Sequence, residues 1–241
     1  MISRFFCPGP LREGEEVALP KGVGHHAERV LRLAVGDPVV LFDGEGAQFS
    51  ATLSALGGVP RALVGQRETP TTESPLALTL VQGLAASDKM DWIIQKAVEL
   101  GVAAIVPVAA ERSVLQLSGE RAEKRLAHWR QVAVAACEQC GRNRLPTVAP
   151  VRSLGEALEA AGENRLRWVL DPAADISLTA MMPPDGPLSL FIGPESGWSA
   201  RELERLQRAG GRGVRLGPRV LRTETAGLAA LAAIQARWGD F

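Results

Sequence analysis

The feature that most constrains the fold is a regular alternation of strand-like and helix-like segments after residue 75. Continuous apolar runs at residues 76–80, Ala104–Val108 and Leu188–Ile192 are typical of strands that are covered on both faces. In the segment 93–101, apolar residues instead recur at helical spacing, and Asp88 stands where it can cap that helix. This alternation predicts an α/β layer structure with a mainly parallel sheet.

The first seventy residues follow a different, mostly β pattern. One helix is predicted over residues 25–33, and strands are predicted over residues 39–42, 48–56 and 61–66. Several short strands with a single helix suggest a small β-barrel. Two prolines and several small polar residues at 69–75 favour an extended connection. We therefore predict two domains, a barrel at residues 1–70 and an α/β domain at residues 71–241.

Composition and charge exclude several classes of protein. The chain has 27 basic and 27 acidic residues, which argues against a protein that coats nucleic acid non-specifically. Basic residues nevertheless cluster at 121–144 and 201–222, which leaves room for a local RNA-binding patch. No apolar run is long enough to cross a bilayer, the N-terminus lacks the pattern of a signal peptide, and three cysteines cannot form a closed disulfide framework. We therefore expect a soluble, cytoplasmic protein.

Three segments rich in glycine and proline each follow a predicted buried strand, at residues 170–172, 192–198 and 216–226. Open α/β sheets bind their ligands at the carboxyl ends of such strands. Glycine and proline set tight turns there and expose backbone groups that can hold an adenine edge or a sugar. The glycine motifs that bind dinucleotides and nucleotide phosphates are absent from the sequence. A nucleoside without phosphate therefore suits these segments better.

Two of these segments carry a resemblance to a known family. Gly-Pro-Glu-Ser-Gly-Trp at 193–198 and Leu-Gly-Pro-Arg-Val-Leu-Arg-Thr-Glu-Thr-Ala at 216–226 resemble the signature pair of the bacterial 16S ribosomal RNA uridine-N3 methyltransferases. This family belongs to the SPOUT, or trefoil-knot, methyltransferases. Further similarity lies at residues 25–33, 89–100 and 138–142, so the resemblance covers nearly the whole chain. Ser196 departs from the glycine that the family usually has, and would be strained there if the position required positive φ.

The resemblance implies a PUA-like RNA-binding barrel followed by a knotted α/β domain that binds S-adenosylmethionine. It also implies a homodimer that acts on 16S ribosomal RNA of the small ribosomal subunit. Matching the family motifs residue by residue predicts cofactor contacts at Leu170, Gly193, Glu195, Gly197, Leu216, Leu221 and Arg222.

Methylating the N3 of uridine requires a base, a cation or donor that steadies the uracil anion, and accurate positioning, but no metal. The predicted catalytic residues are Arg222 as the cation and Glu195 or Glu224 as the base, although each carboxylate is equally suited to a capping role. RNA contacts are predicted from arginines whose planar donors match phosphate oxygens, namely Arg4, Arg29, Arg32 and Arg142.

Three alternatives stay open at this point. The first is another trefoil-knot enzyme that methylates a ribose 2′-hydroxyl or a transfer RNA base. The second is a non-catalytic RNA-binding assembly factor with the same fold. The third is a redox or metal protein built on Cys137 and Cys140, although cysteines three residues apart in an alanine-rich helix are more typical of packing.

Overall fold

The computed structural model describes residues 2–20, 22–162 and 166–241, and the chain divides into two compact units. The first unit comprises Met1–Glu73 and Val134–Leu145, and the second comprises Ser74–Ala133 and Pro146–Phe241. The sequence pattern does not predict that residues 134–145 cluster with the N-terminal segment. Within the described residues, no helix is long and apolar enough to span a membrane.

Five strands form the sheet of the first unit: β1 (Ser3–Phe6), β2 (Glu16–Ala18), β3 (Pro38–Phe42), β4 (Gln48–Ala55) and β5 (Arg61–Glu68). They pair in the order β1-β3-β4-β5-β2, with β1 and β3 parallel and the other pairs antiparallel. Burial alternates along β4 and β5, so one face of the sheet packs on a core that includes Leu41, Phe49 and Leu53. The three strands predicted in this region are confirmed.

The helix predicted over residues 25–33 forms only in part. An α-helical turn, Val23–His25, continues as a π-helical turn, His26–Val30, and the two together are called α1. Only Ala27 is buried in this segment, so it has no apolar face whose packing would stabilise a longer helix. The following Arg32 has a φ of 57°, which lies outside the right-handed helical region. The helix is therefore confirmed over residues 25–30, and its predicted last three residues, 31–33, are wrong.

Six parallel strands form the sheet of the second unit: β6 (Leu78–Gly83), β7 (Ala104–Val108), β8 (Thr147–Val148), β9 (Leu166–Leu170), β10 (Leu188–Ile192) and β11 (Arg212–Val214). Their order is β11-β9-β10-β6-β7-β8, and every pairing is parallel. The central strands β6 and β10 are buried along their whole length, which accounts for their apolar sequences. The predicted parallel sheet is confirmed.

The remaining helices are α2 (Ser87–Glu99), α3 (Gly119–Cys140), α4 (Leu154–Ala161), α5 (Ala200–Arg208) and α6 (Thr223–Trp238). Leu206 of α5 packs in a core cluster with Val81 and Phe191 of the sheet. On α6, a Cβ at Gly227 would lie 3.4 Å from Leu80. Because neighbouring residues of a strand face opposite sides, α5 and α6 cover opposite faces of the sheet.

Candidate active site

A cavity of about 510 Å³ lies where β9, β10 and β11 end. Its wall is formed by residues 170–172, 192–198, 214–217 and 219–223, and Lys89 of α2 also lines it. These are the segments for which the sequence predicts a ligand site. Their position at the carboxyl ends of parallel strands is the usual one in α/β sheets, and the volume is that of a small-molecule site.

The structure brings the predicted cofactor contacts together. The residues concerned all line this one cavity: Leu170, Gly193, Glu195, Gly197, Leu216, Leu221 and Arg222. Glu224 is not part of the lining, but its carboxylate lies behind it, with Oε2 3.4 Å from the Nζ of Lys89. Whether each of these residues contacts a cofactor stays a prediction.

The loop after β10 folds back on itself because two glycines allow it. A Cβ at Gly193 would lie 3.0 Å from the Cα of Gly197, too close for a real side chain without a shift. Gly197 has a φ of 68°, and its N–H donates to the carbonyl of Pro194 at 2.8 Å. Among the described non-glycine residues only Arg32 has positive φ, so Ser196 carries no such strain. The strain considered for Ser196 is therefore absent.

Lys89 is the charged centre of the site. Its Nζ lies 3.2 Å from Oε1 of Glu195 and 3.4 Å from Oε2 of Glu224. Oε1 of Glu195 also accepts a hydrogen bond from the N–H of Ala86, the residue that precedes α2, at 3.0 Å. Asp88 lies inside the first turn of α2 rather than at its cap, so its predicted capping role is wrong.

These contacts shift the pKa values of the two partners in opposite directions. Partial burial works against ionisation of Glu195, but the hydrogen bonds from Ala86 and Lys89 outweigh it and hold the pKa of Glu195 below its usual range. Burial likewise acts to lower the pKa of Lys89, but the two carboxylates outweigh it and raise that pKa. Both groups are therefore ionised at neutral pH.

A second, buried link connects the same loop to α6. The hydroxyl of Thr223 donates to the carbonyl of Gly193 at 2.6 Å and accepts from Nε2 of Gln82 at 2.9 Å. Gln82 is fully buried near the end of β6, and its Nε2 also donates to the carbonyl of Gly83. Gln82 was not among the residues predicted for the site, although a glutamine inside an otherwise apolar strand is a recognisable sequence signal.

Arginines and one further carboxylate complete the wall of the cavity. Arg215, Arg219 and Arg222 all line it, and Arg222 is the exposed N-cap residue of α6. Asp171 also lines it, and its Oδ1 accepts from the N–H of Ala173 at 2.8 Å. A wall with several guanidinium groups suits an anionic ligand such as an RNA phosphate or a uracil anion.

The four predicted RNA contacts all belong to the first unit, where the structure separates them into two groups. Arg29 and Arg32 are exposed. Arg4 is partly buried, and its guanidinium donates to Oε1 of Gln48 at 2.8 Å and to Oδ1 of Asn143. Burial lowers the pKa of Arg4, against the effect of nearby acidic groups.

Arg142 is held in a buried ion pair. Its Nη2 lies 2.8 Å from Oε2 of Glu73, and only 7% of its side chain is exposed. Oε1 of Glu73 also accepts from the backbone N–H groups of Asn143 and Arg144, each at 3.0 Å. This arrangement favours a structural role for Arg142 over the predicted RNA contact, because RNA would have to break a saturated ion pair.

Two titratable groups near the end of α3, Cys137 and Glu138, are buried or partly buried. Glu138 accepts from the N–H of Phe6 at 3.0 Å, and burial raises its pKa despite that hydrogen bond. Burial raises the pKa of Cys137 to about 12, so this thiol is a poor nucleophile at neutral pH. Among the residues that the structure describes, no group of three or more His, Cys, Asp or Glu side chains is arranged to hold a metal ion.

Comparisons with known proteins agree with this arrangement. Residues 72–235 match a family described as an RNA methyltransferase domain, and residues 19–58 match one described as an RNA methyltransferase PUA domain. A crystal structure of a ribosomal RNA small subunit methyltransferase E from Neisseria gonorrhoeae, bound to S-adenosyl methionine, is 40% identical with a TM-score of 0.93, and the match covers 100% of both chains.

Two further relatives also match over nearly the whole length of both chains. The structure of a putative methyltransferase from Legionella pneumophila, in complex with the cofactor, is 33% identical with a TM-score of 0.95 over 100% of both chains. The ribosomal RNA small subunit methyltransferase E of Buchnera aphidicola is 31% identical over 99% of this chain and 98% of its own length. With the parallel sheet, these matches confirm the predicted fold class, an α/β trefoil-knot domain preceded by a PUA-like β-barrel.

Proposed function

Because this chain belongs to the RNA methyltransferase family that includes the ribosomal RNA small subunit methyltransferases E, we propose that it methylates the N3 of a specific uridine in 16S ribosomal RNA, with S-adenosylmethionine as the methyl donor. The observation that carries the proposal is the cavity at the ends of β9, β10 and β11. Every residue that the family motifs assign to the cofactor lines it.

The lining fits this donor. Apolar side chains of Ile192, Leu216 and Leu221 offer a surface for the adenine ring, and the turns at 170–172 and 216–217 offer backbone groups for its edges. Asp171 and Glu195 supply negative charge suited to a ligand that carries a sulfonium and an ammonium group. When bound, S-adenosylmethionine supplies an electrophilic methyl group, and the reaction needs no metal.

Glu195 and Glu224 are the two candidates for the base that removes the N3 proton, and their surroundings differ. Both candidate carboxylates lie close to the ammonium of Lys89. Burial acts to raise the pKa of Glu195, but the hydrogen bonds from Ala86 and Lys89 outweigh it and hold that pKa below its usual range, which makes Glu195 a weak proton acceptor. Glu195 also accepts a backbone hydrogen bond, whereas Oε2 of Glu224 accepts none among the described residues. We therefore assign a loop-holding role to Glu195 and the base role to Glu224, which requires the Glu224 carboxylate to turn from its partly buried position outside the lining into the cavity. Arg222, exposed at the cavity, is the cation that stabilises charge on the uracil oxygens.

The remaining assignments concern domains, partners and location. Residues 1–70 form the RNA-binding domain, with Arg29 and Arg32 among its exposed cations, and residues 71–241 form the methyltransferase domain. The 16S ribosomal RNA of the small ribosomal subunit is the partner, which also implies a cytoplasmic location.

A second copy of this chain is also proposed as a partner. Helix α6 carries apolar residues on its outer side as well as its inner side, since Leu228, Ala229, Ala232 and Ala233 stay partly exposed. Trp92 of α2, the helix that packs against α6, is 53% exposed. A helix that is apolar all round is normally covered, so a homodimer through this surface accounts for it.

The test is methylation of small ribosomal subunits taken from cells that lack their own uridine-N3 enzyme. Purified protein and tritiated S-adenosylmethionine are incubated with the subunits, and the digested nucleosides are separated by mass spectrometry. We expect label in 3-methyluridine. Label in a 2′-O-methylated nucleoside or in transfer RNA would move the enzyme to another trefoil-knot family. Absence of both label and cofactor binding would favour a non-catalytic assembly factor.

A further inference from the structure

Three segments that are distant in sequence meet at Lys89. The lysine lies in the first turn of α2, Glu195 in the loop after β10, and Glu224 in the first turn of α6. Lys89 and Glu195 are 106 positions apart, and their atoms are 3.2 Å from each other. One ammonium group therefore connects the start of two helices to the wall of the cavity.

The three charged groups depend on one another. Two carboxylates that approach the same point repel, and the ammonium between them removes that repulsion. The side chains are only 24%, 27% and 17% exposed for Lys89, Glu195 and Glu224, so solvent screens them less than a surface pair. Without the lysine, two unpaired carboxylates would remain in a poorly hydrated position.

We propose that Lys89 is a positioning residue for the cofactor-binding wall: its ammonium draws Glu195 and Glu224 together and so fixes the loop at 193–198 against the start of α6. This inference rests on the proposed methyltransferase function. Lys89 acts through the two carboxylates, and the segments they belong to carry the predicted cofactor contacts Gly193, Gly197 and Arg222.

The buried link through Thr223 makes this role separable from folding. Gln82, Thr223 and the carbonyl of Gly193 tie the same loop to α6 from inside the protein. Loss of Lys89 leaves that link in place, and it leaves Glu195 with its hydrogen bond from the N–H of Ala86 but without the ammonium, so the outer part of the loop around Glu195 is loosened. Its effect is therefore on loop order and ligand affinity rather than on stability.

The test compares Lys89→Met, which keeps the length of the side chain, with Lys89→Arg, which keeps the charge. Lys96→Met is the control, because Lys96 lies on the same helix, pairs with Glu99 at 2.8 Å and is 30% exposed. By calorimetry we expect Lys89→Met to weaken S-adenosylmethionine binding about tenfold, as loss of a partly buried ion pair does. Lys89→Arg should recover most of the affinity, and the control should match the wild type.

A double variant and a ligand-free measurement complete the design. Glu224→Gln in the Lys89→Met background relieves the carboxylate repulsion, so we expect the double variant to bind more tightly than Lys89→Met alone. Hydrogen exchange in the absence of any ligand should be faster at residues 193–198 in Lys89→Met, with the melting temperature within about 3 °C of wild type.

The outcomes separate the two proposals. The positioning role would be overturned if residues 193–198 exchanged hydrogen in Lys89→Met at the same rate as in the wild type. It would also be overturned if Lys89→Met and Lys89→Arg bound S-adenosylmethionine with equal affinity. If the wild type fails to bind S-adenosylmethionine, the proposed function fails, and hydrogen exchange still decides whether Lys89 holds the loop.

Discussion

In the first unit, Glu73 accepts hydrogen bonds from the guanidinium of Arg142 and from two backbone N–H groups, and only 7% of the Arg142 side chain is exposed. In the second unit, Lys89 is 24% exposed and is shared between Glu195 and Glu224. Both clusters join segments that are far apart in sequence. They differ in the number of partners: both oxygens of Glu73 accept hydrogen bonds, whereas Oε2 of Glu224 has, among the described residues, only its 3.4 Å contact with the Lys89 ammonium.

This difference indicates what each cluster is for. A saturated, buried ion pair has no capacity to engage a ligand, and breaking it leaves an uncompensated buried charge. A partly exposed cluster beside a cavity can change its contacts when a ligand arrives, at a smaller cost to the fold than a buried ion pair. Charges in the first cluster should therefore govern stability, and charges around the cavity should govern activity.

The largest expected effect is on stability, from Glu73→Gln. The amide cannot pair with Arg142, so the free energy of unfolding should fall by about 3 kcal/mol in denaturant titrations. Glu16→Gln is the matched control, because its ion pair with Arg61 is on the surface of the same unit and contributes little. Equal stability of the two variants would remove the contrast between buried and exposed charges.

The next effect is on activity, from Arg222→Ala. We expect the rate of methyl transfer at saturating substrate to fall about 100-fold, as for the loss of one donor to a developing anion. Stability should change little, because the Arg222 side chain makes no capping hydrogen bond to α6. Arg208→Ala, at an exposed arginine of α5, is the control. A well-folded Arg222→Ala protein with unchanged methylation would exclude Arg222 from the mechanism.

The smallest expected effect is a gain, from Glu138→Gln. Burial raises the pKa of Glu138 in the folded state, so folding takes up a proton, and stability falls as pH rises from the unfolded-state pKa through the raised folded-state pKa. Glutamine has no charge to desolvate and can still accept from the N–H of Phe6. At pH 7 the variant should be equal to or up to about 1 kcal/mol more stable than wild type, with a flatter pH dependence.

Glu138→Gln and Glu73→Gln are the same chemical change in the same unit. They should differ in sign because Glu73 forms an ion pair with Arg142, whereas at Glu138 the effect of burial outweighs the attraction of Arg4. A clear loss of stability in Glu138→Gln, measured beside Glu73→Gln, would show that the two sites do not differ in this way.

The elements of the fold that were predicted from the sequence are those whose hydrophobic pattern is long or uniform. Strands such as β4 and β10 alternate or stay apolar over enough residues to be recognised. β2 and β8 have three and two residues, too few for any periodicity. α4 was missed although Ser153 and Glu156 form a capping box, which is a readable start signal.

The candidate site was predicted where it depends on local turns and missed where it depends on long-range pairing. The three segments rich in glycine and proline can be recognised from the sequence, and all three line one cavity in the structure. By contrast, nothing in the sequence says that Gln82 meets Thr223, 141 positions away. The same limit applies to Arg142, which was predicted to contact RNA, because its ion-pair partner Glu73 lies 69 positions away in sequence.

Two of the glycines that line the cavity, Gly193 and Gly217, have opposite consequences for redesign. At Gly193 the chain folds onto itself, and a methyl group would lie 3.0 Å from the Cα of Gly197, so any other residue requires the backbone of this loop to shift. At Gly217 a Cβ would meet no atom within 4 Å, and φ is not in the left-handed region. Residue 217 is thus the point at which the wall can be reshaped to discriminate among donor analogues while the surrounding architecture is retained.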